Sequence, residues 1–82
     1  MIKVSSNTLE FDAAMLFLIE GEYLCRQSGA IWRLRGGRFE VLKITSDGSP
    51  VSYGWTPRHS GLKHMNRFRL VDKTSVPEEF RD

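Results

Sequence analysis

Apolar residues recur along this chain with two different periods, and the change comes near Gly21. Phe11, Ala14, Met15 and Leu18 fall at i, i+3, i+4 and i+7, the stripe of a helix that packs on a sheet. Ahead of it, Ser5, Ser6, Asn7 and Thr8 are all candidate N-caps. Asn7 with Glu10 has the spacing of a capping box, Thr8 would cap one residue later, and the pattern does not choose between them. The helix is predicted to run to about Glu20 and to stop at Gly21, the residue best able to take a left-handed C′ conformation. Ile2 to Val4 reads as a short strand. Leu16, Phe17 and Ile19 lie partly off the stripe, so the helix is apolar over more than one face and needs a second covering surface, which in so short a chain can belong to another subunit.

From Tyr23 onward the signal is that of strands separated by turn residues. Tyr23 to Arg26, Ile31 to Arg35, Arg38 to Thr45, Val51 to Trp55 and Asn66 to Val71 are the predicted strands. Gly36-Gly37 joins two of them as a tight hairpin, because both glycines can take the positive φ values of a primed turn. Ser46-Asp47-Gly48-Ser49 marks another turn, and Thr56 to Met65, with Pro57, Ser60 and Gly61, reads as a long loop or a single helical turn. Residues 73–82 are a candidate loose tail with Val76 and Phe80 to anchor it. The expected architecture is one α+β domain over residues 1–82, with one N-terminal helix packed on an antiparallel sheet of about five strands in two layers.

Charge changes the picture. From Leu24 to Arg69 nine Lys or Arg face two acids, Glu40 and Asp47, for a local charge of +7, whereas residues 1–23 carry −3 and residues 70–82 carry −2. Both tryptophans lie in the basic stretch, with Tyr53 inside it and Tyr23 at its edge. Such a surface favours an anionic partner, and arginine with an indole suits something nucleotide-like. Taken singly, each arginine is more at home on a solvated strand face, and each tryptophan in the core.

Size adds a constraint. A chain of 82 residues buries a smaller share of its surface than a larger protein does, and with a single Cys and no metal-spaced cluster it has no internal staple. A homo-oligomer, dimer or tetramer, is therefore expected. The unpaired Cys25 fits a reducing compartment. The longest apolar run, Ala13 to Ile19, is too short to span a bilayer, and the N-terminal segment does not read as a signal peptide. A soluble, cytoplasmic protein without a membrane partner is the expectation.

Catalytic motifs are weak. Cys25 sits inside a predicted strand, where a thiol behaves as a small hydrophobe. His59 and His64 lack neighbouring carboxylates or thiols to complete a metal shell, and Gly36-Gly37 joins strands instead of preceding a helix as a phosphate loop would. No cofactor, metal or enzymatic activity is expected. Binding fits better. Alternation from Ile31 to Arg35 sends Trp32 and Leu34 to one face, making Trp32 a core or interface residue, and Arg33 and Arg35 to the other, where with Arg38 they form a basic comb. Val51, Tyr53 and Trp55 are expected to share a face, with Trp55 at the mouth of a loop that presents Arg58, His59, Lys63, His64 and Asn66.

Two segments also carry a resemblance. Thr8 to Glu22 followed by Arg26, and Gly54-Trp55-Thr56-Pro57-Arg58 with Asn66-Arg67-Phe68-Arg69-Leu70-Val71, resemble the opening and ending of the phage sponges that counter the Thoeris defence system, second type. The resemblance implies a non-enzymatic homo-oligomer that sequesters a cyclic ADP-ribose signal at subunit interfaces. Where that family favours acids, this chain has Lys63, His64 and Arg67, a more basic set that suits a ligand with more phosphate, such as a cyclic oligonucleotide.

In that reading Arg26, Arg58 and Arg67 clamp phosphates with Lys63 beside them, Trp55 or Tyr53 stacks on a base, and Asn66 reads a base edge or ribose hydroxyl. The rival readings are a nucleic-acid-binding module, whose arginines would track a backbone, and a phage inhibitor that docks on a host protein.

Overall fold

The computed structural model describes residues 2–26, 29–58 and 67–81. Among them the elements are β1 (Val4–Leu9), α1 (Phe11–Ile19), β2 (Leu24–Cys25), β3 (Ile31–Arg35), β4 (Arg38–Leu42), β5 (Thr56–Pro57) and β6 (Phe68–Val71), followed by 3₁₀ turns at Lys73–Ser75 and Glu78–Phe80. The six strands form one sheet in the order β1-β6-β2-β3-β4-β5, every neighbouring pair antiparallel. Since β6 is antiparallel to both β1 and β2, those two run parallel with β6 between them, and α1 bridges them as a split β-α-β unit. The α+β class holds with one helix on an antiparallel sheet, and the strand count is six instead of about five.

The candidate helix caps form a strand instead. Val4 pairs with Val71, Thr8 with Arg69 and Leu9 with Phe68, so the first strand is longer than Ile2 to Val4 and takes in residues 5–8, with an irregularity between Val4 and Thr8. Polar cap-forming residues are also at home on the exposed face of an edge strand, and a partner some 60 residues away is invisible to local pattern. Glu10 becomes the helix N-cap in extended conformation, with no side-chain hydrogen bond. The helix end follows expectation. Gly21, at φ +93°, donates to Leu18 O (3.1 Å) while Glu22 donates to Phe17 O (2.9 Å), the two bonds of a Schellman cap.

The Gly36-Gly37 hairpin is also as predicted, with φ of +58° and +76°. Its two-residue loop fixes the register Arg35 opposite Arg38, Leu34 opposite Phe39, Arg33 opposite Glu40, Trp32 opposite Val41 and Ile31 opposite Leu42. Alternation then builds a core on each face of the sheet. On the helix side Ala14 and Leu18 pack with Leu24, Trp32, Val41 and Phe68. On the other side Tyr23, Ile31, Leu42, Val71 and Val76 cluster, with Ile2, Ile44, Val51, Trp55 and Phe80 packed against them.

That second face is covered by chain with little regular structure. The strand expected from Val51 to Trp55 is absent: Val51 donates to Lys43 O (3.0 Å) and Gly54, at φ +77°, donates back to Val51 O (3.1 Å), turning the chain before Trp55. The pairing falls instead on β5, where Val41 faces Thr56 and Glu40 faces Pro57. Residues 73–81 are tied down. Val76 is buried, Asp72 accepts from Thr74 N (3.1 Å), and Lys73 donates to Gly21 O (2.9 Å) while its ammonium lies 4.8 Å from the Tyr23 ring centroid. Leu16 and Ile19 remain 62 and 64% exposed on the outer face of a helix whose only charged residue is Asp12, and Phe11, on the inward stripe but in the first turn, is still 44% exposed. Among the described residues no helix is long and apolar enough to cross a membrane.

A candidate anion-binding pocket around Trp32

Two indole–guanidinium pairs lie on opposite faces of the sheet. On the face away from α1, Arg33 is 6% exposed; its Nε donates to Glu40 Oε1 at 2.7 Å and its guanidinium stacks 4.1 Å from the centroid of Trp55. Burying a guanidinium is costly unless it is paired, and the hairpin register supplies the carboxylate directly across the strand pair. Trp55 in turn donates its Nε1–H to Phe80 O (2.8 Å) and meets Tyr23 edge to face at 5.3 Å. Each polar group of this cluster that the fold buries has a partner.

The helix-side pair is built differently. Trp32 is 2% exposed, wedged edge to face between Phe68 (5.6 Å) and Phe39 (6.5 Å), and its buried Nε1 has no hydrogen-bond acceptor among the described residues. Beyond the reach of α1 it forms a wall of a pocket of about 290 Å³ lined by Arg26, Ala30, Trp32, Val41, Lys43, Ile44 and Arg58. Three of these side chains are cations, and none is an acid.

Each wall is placed by main-chain bonds. Arg26 N donates to Ala30 O (3.0 Å) where β2 gives way to β3, setting Arg26 and Ala30 side by side at the mouth. Val41 stands opposite Trp32 in the register, and Lys43 and Ile44 continue from β4, with Ile44 bridged to Pro50. Arg58 N donates to Phe39 O (2.9 Å), which extends the pairing beyond β5 and brings the guanidinium to 6.0 Å from the Trp32 ring centroid. Lys43 and Arg58 are exposed and Arg26 is half-buried, and no ion pair to any of the three is found among the described residues. The described acids that hold partners do so elsewhere: Glu40 with Arg33, Asp47 with Thr45 and Ser49, Asp72 with Thr74. Chemically the lining offers positive charge and an apolar floor beside the Trp32 ring, a set that can hold an anion attached to a flat or apolar group.

The residues expected to bind ligand divide. Arg26 and Arg58 come together here. Trp55 and Tyr53 do not line the pocket: Trp55 belongs to the opposite core, with Arg33 over its ring, and Tyr53 is 62% exposed in a turn. Arg67 is exposed just ahead of β6 and is not part of the lining, while Lys63 and Asn66, with His59 and His64, lie outside the described residues. The basic comb of Arg33, Arg35 and Arg38 is broken by the burial of Arg33, leaving Arg35 and Arg38 exposed as cross-strand neighbours. Lys43 and Trp32 were not expected at a site. Trp32 was expected as a core or interface residue; its ring lies in the core, and alternation says nothing of its N–H, which has no partner among the described residues.

Cys25 is half-buried; burial raises its thiol above the ordinary range, opposed in part by the Arg69 guanidinium. This is the direction of a quiet thiol, not of a nucleophile. Among the described residues no group of three or more His, Cys, Asp or Glu is placed to hold a metal ion. Comparison with protein-family models, curated proteins and solved structures finds no match.

Proposed function

We propose that this chain is a stoichiometric capture protein for a small phosphorylated, nucleotide-like ligand, held without bond cleavage. The observation that carries the proposal is the convergence of Arg26, Lys43 and Arg58, without ion-pair partners among the described residues, on the pocket walled by Trp32. Capture requires tight binding and slow release, which fixed cations and an apolar floor supply without acid–base machinery. Within the resemblance to the Thoeris anti-defence sponges, the ligand is a cyclic nucleotide immune signal, and the protein acts in the cytoplasm of a phage-infected cell.

A homo-oligomer belongs to the same proposal. Phe11, Leu16 and Ile19 expose apolar surface on one helix, and a second subunit is the covering that such a face favours. Leu16→Lys then lowers the mass found by light scattering without unfolding the chain. A nucleic-acid-binding reading draws on a separate observation, the exposed Arg35, Arg38 and Arg69 on the strands.

The test is thermal stability against ADP-ribose derivatives, cyclic di- and trinucleotides and a short single-stranded DNA, at low and moderate salt. A shift with one small nucleotide that survives added salt supports capture. Stabilisation by DNA alone that falls steeply with salt supports nucleic-acid binding, and no shift with any small ligand removes the capture reading.

A further inference from the structure

Resting on that reading and narrowing it to its ADP-ribose-type ligands, we infer that the group bound in the pocket is a compact dianion, one of whose oxygens accepts the Trp32 indole N–H: a phosphate monoester or a diphosphate, in preference to the lone phosphodiesters of a cyclic oligonucleotide.

The unpaired donor comes first. A buried indole N–H without an acceptor is rare in a folded interior because it has given up water for nothing. The same chain shows the alternative, since Trp55, only half-buried, has its N–H bonded to the Phe80 carbonyl. Trp32 is the more deeply buried of the two and lacks any such partner among the described residues. A carboxylate beside it would complete the fold and cancel the positive charge; the lining contains none. The acceptor that fits is therefore one brought in from outside, and an oxyanion is the acceptor that Arg26, Lys43 and Arg58 draw to that place. Because Nε1 is closed off from solvent, the oxygen reaches it only with a local movement of the lining, and Arg58 is one side chain free to make it. That arginine is exposed and its guanidinium lies over the ring at 6.0 Å, so moving it breaks no ion pair among the described residues.

Charge and size then select the anion. Three cations stand against no acid in the lining, so a group with two negative charges leaves less uncompensated charge than one with a single charge. A phosphodiester carries one charge at neutral pH, whereas a monoester, with a second pKa near 6, carries close to two. A volume of about 290 Å³ takes the phosphate-bearing end of a nucleotide and leaves the remainder at the open side.

The two tryptophans provide the test, because a ¹⁵N-labelled chain shows one indole N–H resonance for each, assigned with Trp55→Phe. Titration with inorganic pyrophosphate, AMP, cyclic 3′,5′-AMP and adenosine is read at both. AMP and pyrophosphate are expected to move the Trp32 resonance and leave that of Trp55 in place. Cyclic AMP should bind at least tenfold more weakly than AMP, and adenosine not detectably. Trp32→Phe, which keeps a ring and removes the donor, should weaken AMP by about tenfold or more, the value of a hydrogen bond to a charged group. Should that variant fail to fold, Lys43→Ala, a change at an exposed residue, is expected to lower AMP affinity at least fivefold. Equal affinity for AMP and cyclic AMP, or binding that leaves the Trp32 resonance unmoved, overturns this inference while capture stands. If neither these compounds nor the cyclic dinucleotides bind, both fall.

Discussion

The Trp55–Arg33 and Trp32–Arg58 pairs set the two faces of the sheet side by side. Around Trp55 both groups of the pair are answered: Arg33 by Glu40 at 2.7 Å, the indole by the Phe80 carbonyl at 2.8 Å, the ring by a guanidinium at 4.1 Å, while the buried Nε of Arg81, next along the tail, has no partner among the described residues. Around Trp32 the guanidinium is farther off at 6.0 Å, and among the described residues the indole N–H is unanswered and Lys43 and Arg26 have no ion-pair partner. The same residue types thus hold the fold together on one side and leave binding capacity on the other. What separates scaffold from site is whether the fold itself supplies the partners.

The comparison is broken most strongly at Glu40. Glu40→Ala leaves the Arg33 charge buried and unpaired, and should cost about 3 kcal/mol in a urea melt, with Glu40→Gln costing less. Next comes Trp55→Phe, which keeps a ring but strands the Phe80 carbonyl, expected at about 1.5 kcal/mol with the loss concentrated in hydrogen-exchange protection of residues 76–81. On the opposite face, Arg26→Ala and Arg58→Ala should change stability by no more than about 0.5 kcal/mol, since neither side chain has a hydrogen-bonded partner to strand among the described residues. Their effect should appear in ligand affinity instead. An outcome in which Arg58→Ala destabilises as much as Glu40→Ala would erase the distinction.

The smallest effect is one of pH and falls on the tail beneath Trp55. Hydrogen bonds from the Thr74 side chain and backbone hold the exposed Asp72 carboxyl below its ordinary 3.8. A group whose folded pKa is depressed stabilises the fold above its unfolded value, and that contribution disappears as pH falls through the folded pKa. Trp55 fluorescence, read in Trp32→Phe if that variant folds, should therefore report loosening of the tail only below about pH 4. Asp72→Ala should reduce the acid-dependent step, leaving the part due to Asp47, whose carboxyl the Thr45 side chain and Ser49 backbone hold low in the same way.

Part of this was legible in the chain. Gly36-Gly37 and Gly21 punctuate correctly because each needs a positive φ that glycine alone takes without strain. The Arg33–Glu40 pair was legible too and was missed: a two-residue loop at positions 36 and 37 places 33 opposite 40, which already separates Arg33 from the exposed comb. Residues 5–8 misled because their cap chemistry is local while their pairing with β6 is not. Residues 51–55 misled because their alternation serves a turn that covers the sheet and not a strand within it. The pocket was half-legible. Arg26 and Arg58 were singled out by sequence, but their meeting depends on β2, β3, β4 and β5 lying side by side, and the unpaired state of the Trp32 N–H exists only in three dimensions.

If the incomplete pair is the site and the complete pair is scaffold, stabilisation by ligand depends on the first alone. The most direct measurement is the melting temperature of the wild type and of an Arg26→Ala/Arg58→Ala double variant, each with and without the nucleotide that stabilises the wild type most. Nearly equal melting temperatures without ligand and a ligand-induced rise confined to the wild type are expected. A rise of the same size in the double variant would contradict that dependence.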